Sequence, residues 1–388
     1  MAKQITQLDL FSGIGGFHLG FEKAGFKVKS YFSEIDKHAI AVYKHQFKDA
    51  EYVGSVTDIR GEQLPKIDLI TFGSPCQDFS LAGKRKGMGG ERSSLVLEAI
   101  RLIDECRPGV FIWENVKGTF SSNNGADFAA ILQAFANIGG YRLEWQLLNT
   151  SWVLPQNRER VYLVGYSTKP RRNWRGVFPI GEANKSNVQA SHMKVFDAQN
   201  HKWRKDGSTG TLTRHSGDAY RGQLVKVKSA TKQGYEIAEE GDSINLSNPN
   251  SETRRGRVGK GKAQTLDTGA NQGVVQPYSN IEIGDIRYDE GGFRPRKNGI
   301  APALVGSSNK SGTPNCSILK NNSTYRIRRL TPIECERLQG FPDNHTAYGI
   351  YDGEVKKMSN TQRYKQCGNA VTVDIVALVA EAVKPLLK

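Results

Sequence analysis

The chain has 388 residues, a formal net charge of +15 and 38% hydrophobic residues, enough for a large core and two domains. No apolar run is long enough to cross a membrane, and Met1-Ala2-Lys3-Gln4-Ile5-Thr6 lacks the apolar stretch of a secretory signal, so a cytosolic protein is expected. Five cysteines without a Cys-x-x-Cys argue against a disulfide framework or a structural zinc site.

Gln7-Leu8-Asp9-Leu10-Phe11 reads as the first strand, Ser12-Gly13-Ile14-Gly15-Gly16 as a turn, and Phe17 to Gly25 as a helix. A strand, glycine turn and helix form a nucleotide-binding type of unit. The dinucleotide pattern fails at its third glycine, where His18 stands. Lys27 to Phe32 is the second strand; Glu34 follows it, 21 residues after Gly13, where such folds set an acid against ribose hydroxyls. Tyr52-Val53 and Asp58-Ile59 suggest a short third strand and its end.

Ile67 to Phe72 is a buried parallel strand, stopped by Gly73 and Pro75 in Gly73-Ser74-Pro75-Cys76-Gln77. Ligands of open α/β sheets bind beyond the carboxyl ends of strands, which is where Cys76 falls. A lone cysteine is commonly a core residue, but a second apolar strand, Val110 to Trp113, ends at Glu114-Asn115-Val116. A thiol and a carboxyl at two strand ends can face one small substrate. Between them, Leu81 to Arg92 holds four glycines and four basic residues and suits a loop that closes over an anion. Helices are expected from Leu95 and over Phe128 to Phe135, and strands over 143–148 and 160–165. The first 168 residues therefore read as α/β with a largely parallel sheet.

Residues 169–326 differ. They hold 26 Lys and Arg against 14 Asp and Glu, most of the charge excess of the chain, in a Gly-, Ser- and Asn-rich background. Such a concentration favours a polyanion, most simply nucleic acid. Three near-repeats occur, Gly210-Thr211-Leu212-Thr213, Gln264-Thr265-Leu266-Asp267 and Pro302-Ala303-Leu304-Val305, and a separate, loop-rich, mostly β domain is expected. At Thr331 helical pattern returns, with Pro332 at the first helical position and Glu334 at the reciprocal capping site. Val371 to Lys388 reads as a terminal helix with Val371, Ile375, Val379, Ala382 and Val383 on one face. Residues 327–388 are expected to return to the first domain.

Six of these stretches occur in an order that resembles the C5-cytosine-specific DNA methyltransferases of bacterial and phage restriction–modification type. They are Asp9 to Gly16, Gly73 to Gln77, Glu114-Asn115-Val116, Gln156-Asn157-Arg158-Glu159-Arg160-Val161-Tyr162, Arg329 to Asp343, and Gly368-Asn369-Ala370-Val371. The resemblance implies a Rossmann-like domain that takes S-adenosylmethionine as methyl donor, a target-recognition domain over 169–326, duplex DNA as substrate, no metal, and a monomer in a bacterial cell, host- or phage-encoded. It implies Cys76 as nucleophile, Glu114 at the N3 edge of a flipped cytosine, and Arg158 and Arg160 beside the base, with Arg160 the stronger for catalytic support. Phe11 would stack on the cofactor adenine and Glu34 hold the ribose, while Asn369 closes the site. Gly13, Ile14, Gly16 and Val371 would line the cofactor, together with Ile35, Asp58, Pro75 and Leu95. DNA contacts would come from Lys84, Arg85, Lys86 and Arg92, from Thr265, and from the Arg254, Arg255 and Arg257 cluster.

Three positions depart from the family pattern. Ser55 follows Gly54 where an acid is common, so either Ser55 or Asp58 would reach the adenine amino group. Ile35 follows the ribose acid where an aromatic is frequent. Ala303, in the near-repeat best placed by spacing, stands where the family often has Thr. Competing readings are an RNA cytosine methyltransferase on the same fold, disfavoured by the large basic segment, a non-catalytic DNA-binding homologue, disfavoured by Cys76 and Glu114, and a nicotinamide oxidoreductase, disfavoured by the missing glycine.

Overall fold

The computed structural model describes residues 2–74, 94–168, 176–181, 195–197, 202–204, 225–247, 253–269, 271–287, 292–295 and 317–387. The chain forms two compact units. The first comprises Met1–Gly207, Lys262–Asn271 and Leu330–Lys388; the second comprises Ser208–Gly261 and Gln272–Arg329. This division differs from the expected boundaries at 168/169 and 326/327, because 169–207 and the short stretch 262–271 fall in the first unit.

The first unit is built on seven strands: β1 (Lys3–Leu10), β2 (Phe26–Ser33), β3 (Glu51–Tyr52), β4 (Leu69–Gly73), β5 (Val110–Val116), β6 (Tyr141–Asn149) and β8 (Glu159–Ser167), with β7 (Gln156–Asn157) lying outside the sheet. Their order is β3-β2-β1-β4-β5-β8-β6. The first five run parallel, and β8 is antiparallel to both its neighbours. The order reverses between β1 and β4, so the carboxyl ends of those strands flank the crevice where open α/β sheets bind ligands.

Both faces of the sheet are covered, which is why its strands read as continuous apolar runs. Successive side chains of a strand go to opposite faces. Ile70, Phe72, Phe111 and Trp113 pack with Leu102 and Ile103 of α3 (Ser94–Cys106) and with Phe128 and Phe135 of α4 (Ala126–Asn137). Leu69, Val110 and Ile112 pack on the other face with Phe17 and Phe21 of α1 (Gly16–Lys23) and with Ile375, Val376 and Val379 of α7 (Val373–Val383). The third strand is shorter than expected: β3 stops at Tyr52, and residues 55–58 form a turn closed by Asp58 N donating to Ser55 O at 2.9 Å.

His18 explains the missing third glycine. Its ring is buried, stacks on Phe47 at 3.9 Å and lies 3.1 Å from the Tyr43 hydroxyl on α2 (Lys37–Gln46), so it belongs to the packing. At the other end of the chain α5 (Pro332–Leu338) carries the expected capping box, with Thr331 and Glu334 bonding reciprocally. The expected terminal helix is α7, and a further helix, α6 (Asn360–Asn369), precedes it. Asn360–Val383 matches a membrane span in length and composition, a match the sequence reading did not make; its second helix is packed into the core just described.

The first unit also holds β9 (Val195–Asp197) paired with β10 (Lys202–Arg204). The second unit is antiparallel. β11 (Val225–Lys228) pairs with β12 (Tyr235–Ala238). A second sheet has the order β14-β13-β16-β17, from β14 (Val258–Gly259), β13 (Ser243–Asn245), β16 (Gln272–Arg287) and β17 (Gly292–Pro295), and β18 (Ser317–Arg329) pairs along β16. Val227, Ala238, Ile244 and Val275 make its small core.

Candidate active site

The glycine turn follows the end of β1. Phe11 adopts φ 51° and Gly15, the N-cap of α1, φ 84°. A left-handed conformation at a bulky residue such as Phe11 is held only by its surroundings and is common at ligand sites. Ser12 N donates to Ser33 O at 3.1 Å, tying the turn to β2. Gly16 is required by a close approach: a Cβ there would meet Val371 Cγ2 at 2.6 Å. From below, His345 Nε2 lies 2.9 Å from Ile14 O; since a carbonyl only accepts, this nitrogen carries the proton. Burial pushes the His345 ring down to about 4, so it stays neutral. Sequence reading missed His345, which lies 331 residues from its partner.

Glu34 sits across from the turn. Its Oε2 accepts from Gly13 N at 2.9 Å, and its Oε1 accepts from Ile35 N and Asp36 N at 2.7 and 2.9 Å. The Ile35 side chain beside it is 80% exposed. On the next turn Ser55 Oγ lies 2.9 Å from Thr57 Oγ1, which donates to Asp58 Oδ1 at 3.1 Å, so both candidate adenine contacts belong to one hydrogen-bonded turn. Arg101 of α3 clamps this turn by donating to the carbonyls of Val56 and Ile59, and Leu95, on the same helix, packs half-buried into the core.

Beneath the turn, Asp9 is fully buried. Burial pushes its carboxyl up to about 8, against the lowering effect of hydroxyls from Thr71 at 2.7 Å and Tyr43 at 3.4 Å. Gln7 Nε2 donates to the same Thr71 hydroxyl at 2.7 Å. This polar chain inside the sheet was not foreseen.

The second half of the site lies on β4, β5 and β8. Register pairs Gly73 with Glu114. The Glu114 carboxylate lies over Gly73, where a side chain would meet Oε2 at 3.1 Å. Ser74, the last described residue of that strand end, is buried, and its hydroxyl accepts from Trp113 Nε1 at 3.0 Å and Asn115 Nδ2 at 3.3 Å. Pro75 and Cys76 follow, and with Lys84, Arg85, Lys86 and Arg92 they lie outside the described residues. Arg160 Nε is 3.2 Å from Glu114 Oε1, an ion pair in which Oε1 has no formed hydrogen bond among the described residues. Tyr162 stands opposite Glu114 in register, and burial keeps its hydroxyl protonated.

Arg158, expected beside the base with Arg160, bonds main-chain carbonyls among the described residues. It is buried, and its Nη1 and Nη2 donate to Gly368 O at 3.4 Å and Ala370 O at 2.8 Å. Burial, with the charge of Arg160 next in importance, pushes it down to about 10. Asn369 lies exposed between those two carbonyls, and Val371 is buried.

Of the three near-repeats, only the second falls among the described residues, and it is set against this strand. β15 (Ala263–Gln264) pairs with β7, and Thr265 Oγ1 donates to Asn157 O at 2.9 Å. The Pro302-Ala303 repeat, favoured by spacing, lies outside the described residues. In the second unit the arginine cluster divides. Arg255 is exposed, with Nε on Ala230 O, and Arg254 is half-buried, with Nη1 on Ser247 O. Arg257 is buried, donating to the carbonyls of Lys228 and Asn245. Among the described residues no group of three His, Cys, Asp or Glu could hold a metal ion.

The sequence matches the C-5 cytosine-specific DNA methylase family over residues 5–385. It is similar to the orphan methyltransferase M.SPRI of Bacillus phage SPR, 28% identical over 436 residues and 96% of each chain. It is also similar to the type II methyltransferase M1.ScrFI of Lactococcus lactis subsp. cremoris, 30% identical over 98% of this chain and 78% of that one. Among solved structures, the Entamoeba histolytica methyltransferase EhMeth matches with a TM-score of 0.53 at 18% identity, covering 100% of this chain and 99% of that one; at such identity the likeness speaks for the fold alone. A match over nearly the whole length, around a parallel sheet with the family's stretches at its strand ends, means that this chain belongs to the C-5 cytosine-specific DNA methylase family.

Proposed function

We propose that this DNA cytosine-5 methyltransferase uses S-adenosylmethionine, takes a cytosine flipped out of duplex DNA, and forms a covalent bond to it through Cys76. The observation that carries the reading is the register that sets Glu114 over Gly73, where the chain runs on to Cys76, on the same sheet edge as the glycine turn.

The turn suits that cofactor. Ser12 Oγ is buried without a hydrogen-bond partner among the described residues, and Ile35 offers an exposed apolar side chain beside the Glu34 carboxylate. Glu34 would hold the ribose hydroxyls, Phe11 and Ile35 the adenine faces, and the Ser55–Asp58 turn the adenine amino group. Gly13, Ile14, Gly16, Pro75, Leu95, Asn369 and Val371 would complete the lining. When bound, the cofactor supplies a sulfonium methyl.

The residues of the chain do the rest. C6 of a stacked cytosine is out of reach, so the base is flipped. The Cys76 thiolate bonds to C6 and turns the ring into an enamine that is nucleophilic at C5. Glu114, beside Arg160, would carry a proton when the base enters and donate it to N3 as the thiolate adds, offsetting the negative charge that develops on the ring. Once C5 is methylated, a base takes the C5 proton, its electron pair returns to the ring as the C6–S bond breaks, Cys76 leaves as thiolate, and N3 gives its proton back to Glu114. The basic segment 81–92 would follow the base and exclude water, and the second unit would choose the sequence. We place the enzyme in a bacterial cell, acting as a monomer.

Incubating the full chain with duplex DNA, transfer RNA and methyl donor tests this. Bisulfite sequencing should find 5-methylcytosine at one duplex sequence, and 5-fluorocytosine at that position should trap a denaturation-resistant adduct. Methyl transfer to transfer RNA alone would overturn the duplex reading, and absence of the adduct would overturn the covalent one.

A further inference from the structure

Arg158 and Arg160 lie two residues apart, Arg158 in the break between β7 and β8 and Arg160 on β8. Arg160 reaches Glu114. Arg158 instead reaches the carbonyls of Gly368 and Ala370, at the C-terminus of α6. The last carbonyls of a helix have no partner within it and carry the negative end of its dipole, so a buried guanidinium there answers both deficits. Three contacts fix this junction further. Gly368 abuts Asp267, whose carbonyl oxygen a Cβ would meet at 2.4 Å. Thr265, two residues earlier, is bonded to Asn157, the neighbour of Arg158. On the far side, Val371 packs on Gly16, where the glycine turn enters α1.

We propose that Arg158 is a positioning residue that links the two substrate sites: by fixing the turn Gly368-Asn369-Ala370-Val371 against the glycine turn, it makes cofactor affinity depend on the strand that holds the base. It touches neither substrate. The inference rests on the cofactor and base sites proposed above. The planar fork places separate nitrogens on the two carbonyls, a geometry that the single ammonium of lysine does not reproduce.

The test is calorimetric titration of the full chain with S-adenosylhomocysteine, with and without target duplex, for the wild type, R158K, R158A and R160K. Binding linkage is reciprocal, so the ratio of the two affinities measures the coupling. R158A should weaken S-adenosylhomocysteine by about 10-fold or more and bring the ratio toward one. R158K should do so to a smaller degree, and R160K should leave cofactor affinity unchanged while lowering kcat. If R158A does not fold, as judged by its thermal melt, R158K carries the same expectation. Wild-type affinity and coupling in R158K together with a lost kcat would overturn the proposal and return Arg158 to the base. A wild type that binds no S-adenosylhomocysteine would remove the underlying cofactor reading, and this inference with it.

Discussion

Glu34 and Glu114 stand at the ends of two strands of one sheet and are held in opposite ways. Glu34 accepts three backbone N–H groups, from Gly13, Ile35 and Asp36. Glu114 faces a side chain, Arg160, with an oxygen left without a hydrogen bond among the described residues. Main-chain donors are fixed by the turn that carries them, so the cofactor side is formed by the backbone before anything binds. The base side is made of side chains whose bonding is incomplete until a base supplies the missing partner. Losses on the base side should therefore fall on the chemical step, and losses on the cofactor side on affinity.

The largest effect is expected at Cys76. Cys76→Ala should abolish methyl incorporation while gel-shift affinity for duplex DNA persists, and residual turnover near wild type would break the comparison at its root. Glu114→Gln comes next. It preserves shape, and kcat should fall by about 10²–10⁴ with duplex affinity little changed. Glu34→Ala should act the other way, raising the KM for the methyl donor by about 10–100-fold, as expected for lost hydrogen bonds to a charged group of about 1.5–3 kcal/mol. A fall in kcat with unchanged KM would contradict the division between the two sides.

Asp9 sharpens the cofactor side through pH. Its carboxyl titrates near 3.8 when exposed and at about 8 in the fold, because burial disfavours the charge. Between those values the folded protein holds a proton that the unfolded chain has released. Stability should therefore fall as pH rises from about 4 to 8, with a slope of at most about 1.4 kcal/mol per pH unit from this group. Asp9→Asn keeps an acceptor for Thr71 and cannot ionise. Its melting temperature should drop less over that window, and a wild-type pH profile in the variant would remove Asp9 as the cause.

Much of this was legible in the chain because it is local. The strand–turn–helix at Asp9 to Lys23, the β4 and β5 ends at Gly73 and Glu114, and the Thr331 capping box each lie within a few consecutive residues. What was not legible depends on partners far away in the chain. In Gln156-Asn157-Arg158-Glu159-Arg160 only the family resemblance favours Arg160 over Arg158; the carbonyls that hold Arg158 lie 210 and 212 residues further on. The pairing of Ala263 and Gln264 with β7, which sets Thr265 on Asn157, cannot be counted from linear distance. Asp9 reads as one more residue of an apolar strand until Thr71 and Tyr43 are brought to it.

The smallest effect is expected in the second unit, where the same distinction separates neighbouring arginines. Arg254 is half-buried and Arg255 exposed, each with one nitrogen on a carbonyl, whereas Arg257 is buried on the carbonyls of Lys228 and Asn245. A phosphate contact contributes about 0.9 to the slope of log affinity against log salt, so replacing both Arg254 and Arg255 with alanine should flatten the slope by about 1.8 if they face the DNA backbone. Methylation should then weaken uniformly across sequences. If either one reads a guanine edge, the mapped site should relax at one position instead, by about 1–3 kcal/mol of discrimination. Arg257→Ala should do neither at first hand; it strands two carbonyls, and should lower the thermal stability of the chain by about 1–3 kcal/mol. A flattened salt slope in Arg257→Ala with unchanged stability would mean that its fork turns outward when DNA binds. An unchanged slope and site in the Arg254/Arg255 double variant would remove that pair from the DNA interface.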